Sequence, residues 1–413
     1  MFTTRRMPAA LGCLLAIALS VALGAAVGSL PNPNEQAQPR IVAIADVHGD
    51  VASFTAILQR AGLLNESGLW AGGSTVLVQL GDLLDRQPAA KQVMTLAMSL
   101  ESAAPRTGGR AIFLIGNHEA MNAMGELRDV VPATYAAFVD AESQSRRQTA
   151  WSIHRALAER RRKELAAADR SVTVPDVFAE TTEEAWMAAH PPGMLEYLDA
   201  FGASGVYGRW IRGHDTIARV GTSAFQHAGI DSTKPPSKLD DVNSRVRDDL
   251  KRWDEARSYL VSHNLAAASF TFRETLAAGQ IELVRLAAVR RGGSSEPVPA
   301  QLDAIRAIDE STLVNPGGPL WFRGFATWTD QEGGARIAQL LSRYKIERFV
   351  TGHSPVKSGR ITPRFGGRVI LIDTGMSAFF RPFGGRPSAL EIKDGQLTAI
   401  YLDSQSPVGG PDK

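Results

Sequence analysis

The sequence predicts a layered α/β fold with its chemistry at the carboxyl ends of the strands, and three observations carry that expectation. Short β-rich apolar runs recur, each stopping abruptly in a cluster of Asp, His, Asn and Gly. The segments between the early runs have helical spacing, which gives a βαβ rhythm. The runs are continuous rather than alternating, as in strands buried on both faces of a sheet. Ligand-binding groups in such sheets gather just beyond the carboxyl ends of the strands.

Taken in order, residues 41–45 precede Asp46-Val47-His48-Gly49-Asp50, and 75–80 precede Gly81-Asp82. Residues 111–115 precede Gly116-Asn117-His118-Glu119, 224–226 precede His227, 348–351 precede Gly352-His353, and 369–372 precede Asp373. Between the first runs, 51–64 carries Phe54, Ile57, Leu58 and Leu63 on one helical face, and 89–100 carries Val93, Leu96 and Leu100. From 132 to 207 the composition turns to Ala, Glu and Arg with no strand run, which reads as an inserted helical cap. A second insertion is expected over 231–318, with a helix at 240–260 and a Gly/Ser/Pro loop at 290–300. Another helix is expected at 336–344, and 404–413 reads as a disordered tail.

The 413 residues include 44% hydrophobic residues, enough to fill a large core and to exclude disorder over the whole length. With 45 Lys plus Arg against 43 Asp plus Glu, the formal net charge of +2 gives no field that argues for nucleic acid or a membrane surface as partner. The single cysteine, Cys13, excludes a disulfide framework and a thiolate metal site, so any metal needs oxygen and nitrogen ligands. Arg5 and Arg6 before the apolar run 11–27, followed by small residues and Pro31, read as an export signal over 1–28. Cleavage after Ala26 or Gly28, a linker over 29–39 and a periplasmic or extracellular location follow as expectations. The alternative is an uncleaved anchor, since the stretch 7–30 approaches the ~20 residues a spanning helix needs.

Asp46 and His48 stand two apart directly after a strand, where one loop can aim both at a single ion. Asp50 caps the helix that starts near residue 51. Asn117 as a helix cap with Glu119 in the first turn explains those two residues but leaves His118 idle. Amide oxygen, carboxylate and imidazole together suit a divalent ion that accepts hard and borderline donors, such as manganese, iron, cobalt or zinc. Of the eight histidines, His48, His118, His227 and His353 end apolar runs; His154, His190, His214 and His263 read as ordinary structural residues. His214, in Gly213-His214-Asp215, is a decoy that opens a strand at 216–220.

The ordered series Asp-x-His-Gly, Gly-Asp-x-x-Asp-Arg, Gly-Asn-His-Glu, His-Ala-Gly and Gly-His resembles the calcineurin-like metallophosphoesterases. Asp82-Leu83-Leu84-Asp85-Arg86 with Gly116-Asn117-His118-Glu119 is similar to the phosphoprotein phosphatase branch. Trp321-Phe322-Arg323-Gly324, Thr351-Gly352-His353-Ser354-Pro355 and Asp373-Thr374-Gly375-Met376-Ser377 look like its bacterial Shewanella-like group. One departure is Gln87, where the branch usually has Gly after Asp-Arg; it places a side chain at a tight turn beside Arg86.

The resemblance implies a four-layer αββα sandwich over 40–403 with the helical cap inserted. It implies one ion held by Asp46, His48 and Asp82, and a second by Asp82, Asn117, His227 and His353. Manganese comes first, with iron, zinc or cobalt as alternatives. The reaction implied is hydrolysis of phosphorylated Ser, Thr or Tyr side chains of a phosphoprotein or phosphopeptide, by direct attack of a hydroxide shared between the ions. His118, directed away from the ions, would protonate the leaving oxygen while Asp85 takes its other ring proton. Arg86 and Arg323 would hold the phosphate. Two rivals are a nucleotide or other small-molecule phosphoesterase of the same fold, and a catalytically silent phosphate-binding protein.

Overall fold

The computed structural model describes residues 39–168, 176–291 and 297–409. The expected export segment at 1–28 and nearly all of the 29–39 linker lie outside the described residues. Elements follow in the order β1 (Ile41–Ile44), α1 (Val51–Arg60), β2 (Val76–Gln79), α2 (Ala90–Ala103), β3 (Arg110–Phe113) and α3 (Asn117–Met124). Four helices follow without a strand: α4 (Ser143–Ala168), α5 (Glu183–Ala189), α6 (Met194–Phe201) and α7 (Val206–Gly213). Then come β4 (Ile217–Val220), β5 (Ser223–Gln226), α8 (Asp240–Ser262), α9 (Phe272–Arg291), α10 (Asp303–Arg306), α11 (Gly324–Thr327) and α12 (Asp330–Tyr344). The chain closes with β6 (Arg348–Thr351), β7 (Thr362–Arg364), β8 (Val369–Leu371), β9 (Ser388–Lys393), β10 (Gln396–Tyr401) and β11 (Gln405–Pro407).

The strands form two sheets, one of order β11-β10-β9-β1-β2-β3 and one of order β4-β5-β6-β8-β7. Strands β1, β2 and β3 are parallel, with Ile41 opposite Val76 and Val76 opposite Arg110; β5, β6 and β8 are parallel in the other sheet. One face of each sheet meets the other in a core of Ile41, Ala43, Val78, Phe225, Val350 and Ile370. The opposite face of the first sheet, with Val42, Ile44 and Leu77, packs on Phe54, Ile57, Val93 and Met94 of α1 and α2. That of the second, with Ala224, Phe349 and Val369, packs on Ile337, Leu340 and Tyr344 of α12. Successive strand residues point to opposite faces, and here both faces are covered, which is why the runs in the sequence are apolar without alternation. The four-layer αββα arrangement stands as expected.

Local capping agrees in part. Asp50 caps α1 by accepting the Ser53 N–H at 2.9 Å. At α3, however, the cap is Gly116, and Asn117 is already the first helical residue, so its amide is free for other work. The described part of 132–207 carries helices joined by turns and no strand, although residue 207 falls inside α7 rather than at its end. Helix α12 begins six residues before the expected 336, where Thr329 and Glu332 form a capping box. The expected tail is corrected: residues 405–407 pair with β10, Ile400 opposite Gln405, and extend the first sheet. A sheet edge recruits such a segment by main-chain hydrogen bonds, which composition does not register. No helix among the described residues is long and apolar enough to cross a membrane.

Candidate dimetal site

The carboxyl ends of β1, β2, β3, β5 and β6 bring Asp46, His48, Asp82, Asn117, His118, His227 and His353 together, each at most 4% exposed. Main-chain bonds stitch the loops: Val47 and His48 donate their N–H groups to the Asp82 carbonyl at 2.8 and 2.9 Å, and Gly49 donates to Leu83 at 2.8 Å. The two sheets are joined where the His353 N–H donates to Asp46 Oδ1 at 3.0 Å.

Five of these loop residues occupy the left-handed region: His48 (φ 49°), Asp82 (56°), Asp85 (71°), Arg86 (65°) and His353 (64°). Such a conformation costs ~1–2 kcal/mol for a residue with a Cβ, and Asp, Asn and His enter it most readily. Glu119 holds much of this in place. Its carboxylate accepts the N–H groups of Gly116 (2.8 Å), Asp82 (2.7 Å) and Leu83 (2.8 Å), locking the loops after β2 and β3 to one another. Gln87 is not itself left-handed, because Asp85 and Arg86 absorb the turn ahead of it. The side chain there leaves Arg86 aimed at the site, with Nη2 3.3 Å from His118 Nε2. Gly49 (φ 69°) is where the loop has no room, since a Cβ would lie 2.3 Å from the Gln87 carbonyl oxygen. Gly49→Ala is therefore expected to lower stability by about 2 kcal/mol or more, from the left-handed cost plus overpacking, read as the shift in a urea unfolding midpoint.

The imidazole tautomers show what the cluster lacks. His227 Nδ1–H donates to the Leu80 carbonyl at 2.9 Å, which leaves Nε2 as a lone pair. That lone pair faces Asn117 Oδ1 at 2.9 Å, His353 Nδ1 at 3.1 Å and Asp82 Oδ1 at 3.3 Å. His353 donates Nε2–H to the Trp321 carbonyl at 3.1 Å, so its Nδ1 is a lone pair too. Four acceptors thus converge with no hydrogen to share, an arrangement that suits a cation. Beside it, His48 donates Nδ1–H to Leu84 at 3.1 Å, and its Nε2 lone pair stands 3.8 Å from Asp46 Oδ2 and 3.8 Å from Asp82 Oδ2. Asp82 faces both groups, one oxygen to each. The donor set therefore fits divalent cations, with Asp82 common to the two candidate ligand groups.

Charge agrees with the lone pairs. Burial, then repulsion from Asp373, pushes the Asp46 carboxyl well above its ordinary range; burial, then Asp46 and Glu119, does the same to Asp82. Burial holds His48 and His227 well below the usual imidazole range, and burial followed by Arg323 takes His353 down to about 3. The carboxylates lack a full counter-charge among the neighbouring side chains, and neutral imidazoles are the form that ligates a metal.

His118 does not point away from the cluster. Its Nδ1–H donates to Asp85 Oδ2 at 2.6 Å, and its Nε2 lies 3.7 Å from Asp82 Oδ2. By distance alone His48, Asp82 and His118 form one candidate ligand group, and Asp82, His227 and His353 another. Asp85 also accepts Asn122 Nδ2 at 2.9 Å, and Asn122 Oδ1 accepts the Tyr197 hydroxyl at 2.6 Å. Arg323, itself exposed, donates to the His353 carbonyl at 2.8 Å and the Ser354 hydroxyl at 3.0 Å, which ties it to the rim of the site. His214 lies elsewhere, paired with Glu101 at 2.8 Å. Reading the sequence missed Asn122 and Tyr197. It placed Glu119 only as a first-turn acid.

Fold and donor set together define a metal-dependent phosphoester hydrolase, and residues 39–179 match the calcineurin-like phosphoesterase family. Over those residues the chain is similar to the calcineurin-like phosphoesterases. Among its relatives, Shewanella-like protein phosphatase 2 of Arabidopsis thaliana is 28% identical over 213 residues, 50% of this chain and 51% of that one. Shewanella-like protein phosphatase 1 of Plasmodium berghei is 21% identical over 366 residues, 88% of this chain and 74% of that one. The fold is shared with the solved cold-active protein-tyrosine phosphatase of a psychrophilic Shewanella species. That match has a TM-score of 0.55 and 20% identity, and covers 90% of this chain and 80% of that one.

Proposed function

We propose that the chain is a phosphomonoesterase that hydrolyses phosphorylated protein side chains. The observation that carries this reading is the adjacency, in one buried cluster, of two acceptor-only ligand groups, the His118–Asp85 pair and the Arg86 guanidinium. Asp46, His48 and Asp82 would hold one ion, and Asp82, Asn117, His227 and His353 the other; the mixed oxygen and nitrogen donors support manganese first, then iron, zinc or cobalt. When bound, the ions supply an acidified water for in-line attack and neutralise charge on the phosphoryl group.

The remaining work falls to side chains. His118 holds a proton at Nε2 for the leaving oxygen, and Asp85 fixes the tautomer by accepting Nδ1–H. Arg86 and Arg323 orient the phosphate from two sides, each guanidinium offering paired donors to its oxygens. Beside Arg86 stands an aromatic shelf: its guanidinium lies 5.7 Å from the Phe379 ring and 5.1 Å from Phe380. Phe379 is 49% exposed, and Phe380 approaches the His48 ring at 5.9 Å. An apolar surface next to the phosphate arginine supports phosphotyrosine among the side chains, in keeping with the name of the Shewanella structure. The basic and apolar amino terminus supports export to the periplasm with cleavage after Ala26 or Gly28.

The test uses the exported protein, whose mature mass reports cleavage, stripped with chelator and assayed with and without Mn²⁺. Phosphate release from an aryl monoester and from phosphotyrosine peptides is expected to return with the metal, ahead of phosphoserine peptides and nucleotides. Cleavage of an aryl diester alone would make it a phosphodiesterase. No turnover with any divalent metal would make it a binding protein.

A further inference from the structure

We infer that Tyr197, brought in by α6 of the helical insertion, is a positioning residue for the acid His118, acting through Asn122 and Asp85. The inference rests on the proposed role of His118 as proton donor.

The chain of contacts is short and dry. The Tyr197 hydroxyl donates to Asn122 Oδ1 at 2.6 Å, Asn122 Nδ2 donates to Asp85 Oδ1 at 2.9 Å, and Asp85 Oδ2 accepts His118 Nδ1–H at 2.6 Å. Tyr197 is fully buried, and the other three are 2% exposed, so water does not substitute for any link. Asn122 Nδ2 donates a second bond, to the His118 carbonyl at 2.9 Å, so both amide hydrogens are committed to acceptors around the acid. The amide is useful in one orientation only. Turned over, it would set Oδ1 against Asp85 Oδ1, two acceptors in contact, and Asp85 would have to rotate away from His118. What holds the useful orientation is a donor on the far side of Asn122, and the Tyr197 hydroxyl is that donor.

Packing accounts for the Tyr197 ring but not for its hydroxyl. The ring sits among Tyr135 at 5.5 Å, Phe138 at 4.9 Å and Phe201 at 4.4 Å, a setting in which phenylalanine would serve equally well. A buried hydroxyl with no partner is unfavourable, so its presence here is matched to Asn122. The helical insertion therefore completes the proton-donating apparatus from behind, in addition to covering the core.

The experiment compares the Mn²⁺-loaded wild type with Y197F, N122A and H118N on aryl phosphates of graded leaving-group acidity. Dinitrophenyl phosphate departs without a proton and phenyl phosphate needs one. For Y197F, kcat/KM is expected to fall roughly tenfold on phenyl phosphate, part of the ~10²–10⁴-fold a positioned acid contributes, and to stay within about twofold on dinitrophenyl phosphate. Bound metal should be unchanged, and the Y197F/N122A double variant should lose no more than N122A. A uniform loss across the series, or none, overturns the inference. H118N separates the two levels: if it too lacks leaving-group dependence, the acid assignment fails; if it shows it and Y197F does not, only the role of Tyr197 falls. Should Y197F melt too low to assay, N122A cuts the next link and carries the same expectation and the same refutation.

Discussion

Asp82→Asn is expected to lower phosphate release by more than about 10³-fold, the rate equivalent of several kcal/mol of lost charge stabilisation, while leaving the protein folded. Asp82 faces both ligand groups, so the substitution removes a charge from each. Folding survives for three reasons on the same residue. Asparagine enters the left-handed region that Asp82 occupies at φ 56°. Its oxygen still accepts the His118 N–H that Asp82 Oδ1 takes at 3.1 Å. Its amide nitrogen would meet the Nε2 lone pair of His48, which lies 3.8 Å from Asp82 Oδ2.

The metal-free variant should in fact be the more stable at neutral pH. The native Asp82 pKa is raised from 3.8, so the stability it contributes is complete below that value and is lost as pH rises through the native value. Asparagine has no such loss. Urea midpoints of the two metal-free proteins should coincide in strong acid and separate in favour of the variant at pH 7. Full activity in the variant would sink the bridging assignment.

His118→Asn is expected to cost ~10²–10⁴-fold in kcat on phenyl phosphate and little on dinitrophenyl phosphate, with Mn²⁺ binding preserved. The competing reading is geometric, since His118 Nε2 is within ligand distance of His48 and Asp82. The two readings part on the metal. A ligand would take metal affinity with it and slow every ester alike, whereas an acid leaves calorimetric Mn²⁺ binding intact and sorts esters by leaving group. Arg86 Nη2 approaches that same nitrogen at 3.3 Å, which puts His118 Nε2 beside the guanidinium that would hold the phosphate.

Much of this site was legible in the sequence because every ligand follows directly on a strand, and an α/β sheet collects strand ends on one edge. Asp46, His48, Asp82, Asn117, His227 and His353 meet for that reason alone. Glu119 was half legible: its place in a first helical turn was clear, but its bonds to Asp82 and Leu83 reach 37 and 36 residues back. Tyr197 was not legible at all. Within α6 it reads as one more apolar position among Leu195, Leu198 and Phe201, and nothing local marks a hydroxyl that answers an amide 75 residues away. Helix α9 went unread because its stripe is diluted by alanine and Gly279, and Gly279 is there to let Ile305 approach, 2.9 Å from where a Cβ would stand. Gln87 cautioned against Arg86 on the ground that a turn needs glycine; Asp85 and Arg86 took the strained angles instead.

The bond from the His353 N–H to Asp46 Oδ1 spans 307 residues of chain. Asp46, His48, Asp82, Asn117 and His118 are all synthesised before the helical insertion, and His353 follows the whole of it. A nascent chain can therefore fold its first parallel strands and hold four of the six ligands for a long interval with no means of completing the centre. Contacts of such sequence separation close late and slowly. Competence arrives in one step, when the second sheet docks, so a chain arrested before β6 would be structured in its first half and chemically inert.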